Sequence, residues 1–384
     1  MTSPKNTSRP DSAMAFAALP SLACLLWDSL EGARGCPRGT LNLIEESGTG
    51  LLFNSDFDPD LIEYQEGYEN SLSFSHTFSG YLKDYAKHVV AGAPAAAPRI
   101  AEIGCGDGEF LELAVNAGAA AGLGIEPSWK LNREPVLADG RVQVLPESLD
   151  AATAPQLRAF DPDLVISRQV LEHVTDPVAF LTLIRESLAP KPVPCVIEVP
   201  SATFMYKGGT PWEVIYEHRS YFTEQTLGLI MEKAGYEVTG METTFNGLFI
   251  SATGKPNPAA RVRSQSEDSD LAYWRGAWKG RLKSWKEDLA QRQAAGQRIA
   301  LWGAGARGIM FLNIADPGNY IGKVIDLNPR KYGFHAAGSG HKISPPSDLV
   351  DYQPEMVIVM NPVYEEEIRS DLAKLGLNPE ICIA

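Results

Sequence analysis

The stretch EIGCGDGEF, residues 102–110, joins two apolar segments that differ in periodicity. The residues RIA before this stretch predict a short apolar strand. The residues ELAVN shortly after the stretch predict an amphipathic helix. The glycines between them allow the backbone to turn tightly and to approach a ligand, and the first turn of the helix presents unpaired N–H donors. The stretch lacks the G-x-x-x-x-G-K-[ST] pattern of a P-loop. It therefore predicts a ligand-binding turn of an α/β unit that is not a P-loop.

The chain on the C-terminal side of this turn continues the alternation of strands and helices. Apolar strand patterns recur in GLGIEPS, RVQVLPES, DLVISRQ and CVIEVPS, and amphipathic helical patterns such as DPVAFLTLIRESLA separate them. This alternation predicts a doubly wound, Rossmann-like α/β fold with a parallel sheet and helices on both faces. A second strand-glycine-helix unit, RIALWGAGARGIMFLNI at residues 298–314, predicts a second, smaller Rossmann-like α/β domain.

Composition changes along the chain suggest four parts. We predict an irregular N-terminal segment at 1–60, a larger α/β domain with an N-terminal helical lid at 61–254, a linker and connecting helix at 255–297, and the smaller domain at 298–384. Aromatic and aliphatic residues at spacings of three and four predict the helix of the lid between about Tyr64 and Val90.

Charge and cysteine usage exclude several classes of protein. The chain has 384 residues and a formal net charge of −14, without the Lys and Arg clusters that nucleic-acid binding needs. Its five scattered cysteines favour a reducing cytoplasm over a disulfide framework. The apolar run at 13–27 is interrupted by Pro20, which argues against a signal peptide, and no run reaches the roughly 20 apolar residues of a membrane helix.

Two acidic residues sharpen the prediction for the first glycine turn. Glu126 ends the next strand, where an α/β nucleotide site places an acid to accept hydrogen bonds from ribose hydroxyls. Glu102 would repel a pyrophosphate but suits a cationic ligand such as the sulfonium and amino groups of S-adenosylmethionine. The sequence EIGCGDG resembles the first motif of the class I S-adenosylmethionine-dependent methyltransferases.

That resemblance implies a cofactor site. Gly104, Gly106 and Asp107 would line the methionine side, and Glu126 would hold the ribose. The sequence LPESL stands where such enzymes usually contact the adenine, so that Glu147 or Ser148 is the matching residue.

Four further motifs, YENSLSFS, RQVLEHVTDPVAF, YEHRSYFT and the second G-x-G-x-x-G, together resemble the three-module sugar C-methyltransferases over roughly residues 55–384. The resemblance implies a small-molecule acceptor, a nucleotide-linked keto-sugar, and a place in natural product biosynthesis. The N-terminal zinc module of that family is degraded here. Only Cys24 and Cys36 remain of two C-x-x-C pairs, and a closed structural zinc site needs four ligands, so neither zinc nor another metal is expected.

The same resemblance implies the catalytic residues. Methylation at carbon needs a base that removes a proton next to a ketone, and histidine is the usual choice. The matching base is His218, with Glu217 beside it and Tyr68 contributed by the lid. His173, in LEH after the fourth strand, is the second candidate, and both histidines could instead be structural. Tyr216 and Tyr221 are expected to form walls of the acceptor site.

The sequence departs from that family at two positions. Ile215 and Gln169 stand where sugar C-methyltransferases typically have Tyr and often have His. An O-methyltransferase of a small hydroxylated metabolite therefore remains the alternative. The second glycine turn, with Asp326 after the following strand, would suit NAD when considered alone, which leaves a dinucleotide-binding module as the non-enzymatic alternative. In the resembled family this domain helps to hold the substrate, and Arg307 would reach a phosphate of it.

Overall fold

The structure is a computed structural model, and it describes residues 12–63, 67–131, 138–265, 268–316 and 318–384. The strands of these residues are β1 Met14–Pro20, β2 Arg38–Glu45, β3 Leu52–Asn54, β4 Arg99–Ile103, β5 Ala121–Ile125, β6 Val142–Leu145, β7 Leu164–Arg168, β8 Cys195–Pro200, β9 Ser220–Tyr221, β10 Tyr236–Thr244, β11 Phe249–Pro256, β12 Ile299–Trp302, β13 Ile321–Ile325, β14 Ile343–Ser344, β15 Met356–Val359 and β16 Glu380–Ile383. The α-helices are α1 Leu30–Arg34, α2 His76–Gly92, α3 Glu109–Asn116, α4 Ala154–Phe160, α5 Pro177–Ser187, α6 Ala202–Gly208, α7 Glu224–Lys233, α8 Ser269–Ala294, α9 Ala306–Ile314, α10 Leu349–Tyr352 and α11 Glu365–Lys374.

A seven-stranded sheet carries the first glycine turn, and its strand order is β10-β11-β8-β7-β4-β5-β6. β4 pairs in parallel with β5 and β7, whereas β11 is antiparallel to both of its neighbours. Successive residues of β4 face opposite sides of the sheet. Ile100 packs in a core with residues of α2 and α3, and Ala101 packs in a core with residues of α5 and α7. Helices therefore cover both faces of the sheet, which confirms the predicted doubly wound fold.

A second, five-stranded sheet follows in the order β14-β13-β12-β15-β16, with every neighbouring pair parallel. The long helix α8 precedes it, and the side chain of Asp268 caps that helix by accepting from the N–H groups of Asp270 and Leu271. α8 buries Trp274 and Trp278 and is otherwise largely polar. In the described ranges, no helix has both the length and the apolar character that crossing a membrane requires.

The N-terminal segment differs from the irregular chain that its sequence predicts. β1, β2 and β3 form a four-stranded antiparallel sheet with β9, which follows His218 in the chain. Leu41, Leu43 and Leu52 are fully buried in the core that this sheet shares with α8 and the C-terminal domain. β1, β2 and β3 are neighbours in sequence, whereas β9 is distant, so local patterns could not place β9 in this sheet.

The helix of the lid also begins later than its apolar pattern predicts. α2 starts at His76, where the hydroxyl of Ser75 accepts a hydrogen bond from the N–H of Phe78 at 3.2 Å. This serine cap provides the start signal, since a side-chain acceptor satisfies one of the unpaired N–H groups of a first turn. Residues 64–66, within the predicted helix, lie outside the described residues.

Candidate active site

A cleft with a volume of about 1840 Å³ is lined by both glycine turns, by the lid and by the chain between α6 and β9. It opens at the carboxyl ends of β4 and β12, where open α/β sheets bind ligands. The cleft brings together most residues predicted from the sequence, namely Tyr68, Glu102, Gly104, Gly106, Asp107, Glu126, His173, Glu217, His218, Tyr221 and Arg307. Glu147, Ser148 and Tyr216 are not part of its lining.

The first glycine turn has a backbone that only glycine adopts easily. Gly104 has a φ of 77°, and a Cβ there would lie 2.2 Å from Cγ2 of Val170. Gly106 has a φ of 53°, and a Cβ there would meet no atom within 4 Å. Gly104 is therefore required by close packing, whereas Gly106 faces open space that a ligand can occupy. The side chain of Asp107 accepts from the N–H of Glu109, the first residue of α3, at 3.2 Å.

Glu126 connects the turn to the end of β5. One of its carboxylate oxygens accepts from the N–H of Gly106 at 3.0 Å, and the other accepts from the N–H and hydroxyl of Ser128 at 2.9 and 2.6 Å. The carboxylate therefore holds the glycine turn in shape and lines the cleft at the same time.

Glu102 offers the clearest signal for a bound cationic group. It is 2% exposed, and its Oε2 has no hydrogen-bond partner. Burial raises its pKa to about 8, against the opposing effect of Arg168. A ligand that carries an amino group or a sulfonium would supply the missing partner or charge. With the open space at Gly106, these residues fit S-adenosylmethionine: Glu102, Gly104, Gly106 and Glu126 would hold it.

The structure adds a buried polar network that was missed in the sequence. Arg168 donates to Glu198 at 3.0 Å, Gln169 donates to the same oxygen at 3.3 Å, and the hydroxyl of Tyr81 donates to the other. Gln169 has a φ of 54°, an uncommon backbone for a residue other than glycine. The signal in the sequence was Glu198 itself, a charged residue inside the apolar strand CVIEVP, because a fully buried charge needs partners.

Glu217 is held between the lid and the N-terminal segment. Its carboxylate accepts from the N–H of Ala23 at 3.0 Å and forms a hydrogen bond with the side chain of Tyr68. Burial raises its pKa to about 7, although these two hydrogen bonds oppose the shift. The predicted proximity of Tyr68 and Glu217 is thus present in the structure.

His173 and His218 lie against each other, with ring centroids 4.8 Å apart and the rings perpendicular. Nδ1 of His173 is 3.0 Å from the carbonyl oxygen of Glu217, and burial lowers the pKa of His173 to about 4. Burial, followed by the neighbouring His173 and Arg307, lowers the pKa of His218 well below its ordinary value. Both imidazoles are therefore neutral near pH 7 and able to accept a proton.

Glu172 completes this group. One oxygen of Glu172 and one ring nitrogen of each histidine lie within 4.8 Å of one another, and these three side chains could hold a metal ion. Neither oxygen of Glu172 has a hydrogen-bond partner, and burial raises its pKa to about 8. The group includes neither Cys24 nor Cys36, which are buried free thiols.

Three predicted residues have other positions than expected. Tyr216 is fully buried, where its hydroxyl accepts from the N–H of Asp58 at 3.0 Å and its ring stacks on Phe57. It packs beneath the N-terminal sheet, because YEH continues the chain into β9 of that sheet. Glu147 and Ser148 are exposed after β6. Tyr221 lines the cleft with its ring, while its hydroxyl is bonded to both backbone groups of Ile215.

The second glycine turn is held in shape by side chains of its own domain. Asp326 accepts from the N–H of Ala304 at 2.8 Å and from Nζ of Lys331 at 3.1 Å. A Cβ at Gly308 would lie 2.0 Å from the carbonyl oxygen of Gly303, so this glycine serves helix packing. Arg307, predicted to contact a phosphate, pairs through Nε with Glu213 at 2.5 Å and lines the cleft.

Comparisons with known proteins agree with this arrangement. Residues 76–240 match the family described as "Methyltransferase domain", and residues 270–378 match the "C-methyltransferase C-terminal domain". A tRNA U34 carboxymethyltransferase of Dichelobacter nodosus is 30% identical over 109 residues, which are 27% of this chain and 33% of that protein. The match thus spans about a third of the length of that curated relative.

Solved structures give partial overlaps. An S-adenosylmethionine-dependent methyltransferase from Mesorhizobium loti is 17% identical, covers 46% of this chain and 99% of its own, and has a TM-score of 0.37. The 1,6-didemethyltoxoflavin-N1-methyltransferase of Burkholderia thailandensis is 14% identical, covers 47% of this chain and 81% of its own, and has a TM-score of 0.34. The two family matches follow one another in the order of the seven-stranded and five-stranded sheets. The chain therefore carries a methyltransferase domain followed by the C-terminal domain of C-methyltransferases.

Proposed function

We propose that this protein methylates a carbon atom of a small-molecule acceptor, a nucleotide-linked keto-sugar, held between the two lobes. The observation that carries the proposal is a single cleft that contains both the glycine turn at Gly104 and the group of Tyr68, Glu217 and His218. A site for the methyl donor and a site that can accept a proton therefore face the same cleft. The C-terminal domain that follows is of the kind named for C-methyltransferases.

The residues on the donor side bind and orient. S-adenosylmethionine, when bound, supplies a methyl group on a positively charged sulfur. The turn at Gly104 and Gly106 would receive its amino acid part, and Glu102 would offer the unpartnered Oε2 to its amino group. Glu126 would accept from the ribose hydroxyls.

The residues on the acceptor side would remove a proton from the acceptor. His218 is neutral near pH 7, so its imidazole can take the proton that leaves the carbon next to the ketone. Burial, with His173 and Arg307 beside it, lowers the pKa of His218 and so makes it a weak base. Tyr68 would orient Glu217 through their hydrogen bond.

The boundaries of the lobes are part of this proposal. We assign the donor site and lid to residues 61–254, the connecting helix to 255–297 and the acceptor-holding domain to 298–384.

One observation favours a second candidate, O-methylation of a small hydroxylated metabolite without a diphosphate. Within the described residues, each cation that lines the cleft has a carboxylate partner; these pairs are Arg168 with Glu198, Arg307 with Glu213, Arg330 with Glu69 and Lys331 with Asp326. A diphosphate would therefore meet cations whose charge is already compensated by a carboxylate. In the second candidate, the same His218 would take a hydroxyl proton.

The two candidates are separated by an exchange experiment. The protein is incubated in deuterium oxide with nucleotide-linked keto-sugars, or with free hydroxylated metabolites, before a labelled methyl donor is added. Carbon methylation predicts deuterium at the carbon next to the ketone without any donor, and label on carbon after its addition. Label on oxygen without wash-in would establish the second candidate. A chain that binds no S-adenosylmethionine in calorimetry would overturn both.

A further inference from the structure

The C-terminal domain holds the start of the lid helix through one carboxylate. The hydroxyl of Ser75 donates to Oε2 of Glu367 at 2.7 Å, the N–H of His76 donates to Oε1 at 2.9 Å, and the N–H of Thr77 donates to Oε2 at 3.2 Å. Glu367 belongs to α11, some 290 residues further along the chain. Three donors of one domain thus meet an acceptor of the other.

The position of this carboxylate is electrostatically favourable. The first N–H groups of an α-helix have no partner within the helix, and its N-terminus carries a partial positive charge. α2 is 17 residues long, and Glu367 satisfies two of these N–H groups from outside the helix. Although partial burial opposes the shift, the hydrogen bonds from Thr77, Ser75 and His76 hold the pKa of Glu367 below its ordinary value. The carboxylate is therefore ionised at neutral pH.

An aromatic contact runs alongside this cap. Tyr364, directly before α11, meets Phe245 edge to face with centroids 5.8 Å apart. Phe245 in turn contacts Phe78 and Tyr81 of α2, at 5.7 and 4.7 Å. The hydroxyl of Tyr81 is bonded to Glu198 of the buried network. A continuous set of contacts therefore joins Tyr364, at the start of α11, to that network.

A third contact involves the chain before α2. Arg330 of the C-terminal domain pairs with Glu69 at 3.4 Å, and its guanidinium lies 5.5 Å from the centre of the Phe74 ring. Pairs as exposed as this one contribute little individually. Glu69 and Phe74 come shortly before the residues that Glu367 contacts, so these contacts also link the C-terminal domain to the start of the lid helix.

The lid helix forms one wall of the donor site. Leu82 and Tyr85 of α2 share a core with Phe110, which lies in the first turn of α3 after the glycine turn. Phe78 and Leu82 line the cleft. An α2 that is frayed at its start would leave this wall incomplete.

We propose that Glu367 is a positioning residue for methyl transfer, which couples the C-terminal domain to the donor site by capping the lid helix α2. The inference rests on the proposed function for its effect on catalysis, whereas the cap itself is independent of it. Since the donor would bind only to the capped lid, loss of the cap lowers the apparent affinity for S-adenosylmethionine by the fraction of molecules that are capped. Loss of a typical cap changes the ratio of capped to frayed lids about fivefold, which is the upper limit of the expected loss of affinity. Bound donor restores the wall, so kcat at saturation changes much less than the affinity.

The test compares Glu367→Ala with the adjacent variant Glu366→Ala, because Glu366 is exposed on the same helix. Hydrogen exchange measures protection of the N–H groups of His76 and Thr77, calorimetry measures the affinity for S-adenosylmethionine, and kinetics separates KM from kcat. We expect Glu367→Ala to expose both N–H groups and to weaken donor binding by up to about fivefold. Glu367→Gln, which retains one acceptor oxygen, gives intermediate values, and Glu366→Ala behaves like the unaltered protein.

Two results would overturn the inference. Unchanged exchange at His76 and Thr77 in Glu367→Ala would show that the carboxylate does not cap α2. Faster exchange with unchanged donor affinity and kinetics would show that the cap has no positioning role. If the unaltered protein bound no S-adenosylmethionine, the proposed function would fail, and the exchange rates would still decide whether the cap exists.

Discussion

Glu217 accepts a hydrogen bond from the backbone N–H of Ala23 at 3.0 Å, across 194 residues of sequence. Glu217 is 2% exposed, so water cannot readily replace this partner. The N-terminal segment, which stands where the resembled family has a zinc module, is therefore part of the wall of the cleft. Its sheet ends in β9, and β9 fixes the chain just after His218.

Replacing the proposed base tests the acceptor side directly. We expect His218→Asn to lower kcat by about 100-fold or more, because general-base catalysis contributes rate factors of that order. Labelled methyl transfer at saturating acceptor and donor measures the effect. His88→Asn, at an exposed position on α2, serves as the control. A His218→Asn enzyme with full rate and intact donor affinity would remove His218 from the mechanism.

The buried carboxyl of Glu172 predicts a pH dependence of stability. Burial raises its pKa from 4.5 to about 8, so the folded chain binds this proton more tightly than the unfolded chain. Its contribution to the free energy of unfolding is therefore fully present below about pH 4.5 and is lost as the pH rises through about 8.

Glu172→Gln keeps the neutral form at every pH. We expect denaturant melts to show nearly equal stability near pH 4.5, and a variant more stable by on the order of 4 kcal/mol at pH 8.5. Glu366→Gln should follow the unaltered protein throughout. A difference between Glu172→Gln and the unaltered protein that stays constant with pH would mean that Glu172 is ionised in the folded state.

Arg307 and Glu213 separate the two candidate acceptors. If the acceptor carries a phosphate, Arg307→Ala loses a charge-assisted hydrogen bond and raises the acceptor KM about tenfold or more, with donor affinity unchanged. Glu213→Gln would release Arg307 and lower that KM. Steady-state kinetics on both variants gives the answer. Unchanged KM values in both would favour an acceptor without phosphate.

Metal ions should inhibit this enzyme. Glu172, His173 and His218 can ligate a cation, but a bound metal would occupy the nitrogen that accepts the proton. We expect chelators to leave the rate of methyl transfer unchanged and added Zn²⁺ to lower it. When each protein is compared with its own rate without Zn²⁺, the rate should fall less in His173→Ala. Loss of activity on chelation, with recovery when metal is restored, would contradict the proposed role of His218 as free base.

The donor site was predictable because its determinants are local. Glu102, Gly104 and Gly106 lie in one turn, and Glu126 ends the following strand, so spacing along the chain reflects spacing in the fold. Parallel α/β units repeat that relation, and the second glycine turn was identified in the same way.

What sequence patterns did not predict depends on distant partners. Tyr216 is a residue type that suits a wall of the acceptor site, but the pairing of β9 with β3 decides where its side chain lies. Arg307 was expected to be available to a phosphate, and its partner Glu213 lies in another domain. Glu198 could have been suspected as a buried charge, although its three donors could not be named from spacing.

The N-terminal sheet also has a consequence for synthesis of the chain. β3 is made early, but its outer neighbour β9 does not exist until residue 221 has been added. Over that interval the edge of β3 has no native partner, and unpaired strand edges are sites of association between chains. Completion of the sheet and placement of the segment that carries His218 are therefore one folding event, so that a nascent chain gains its last N-terminal strand and its proposed base together.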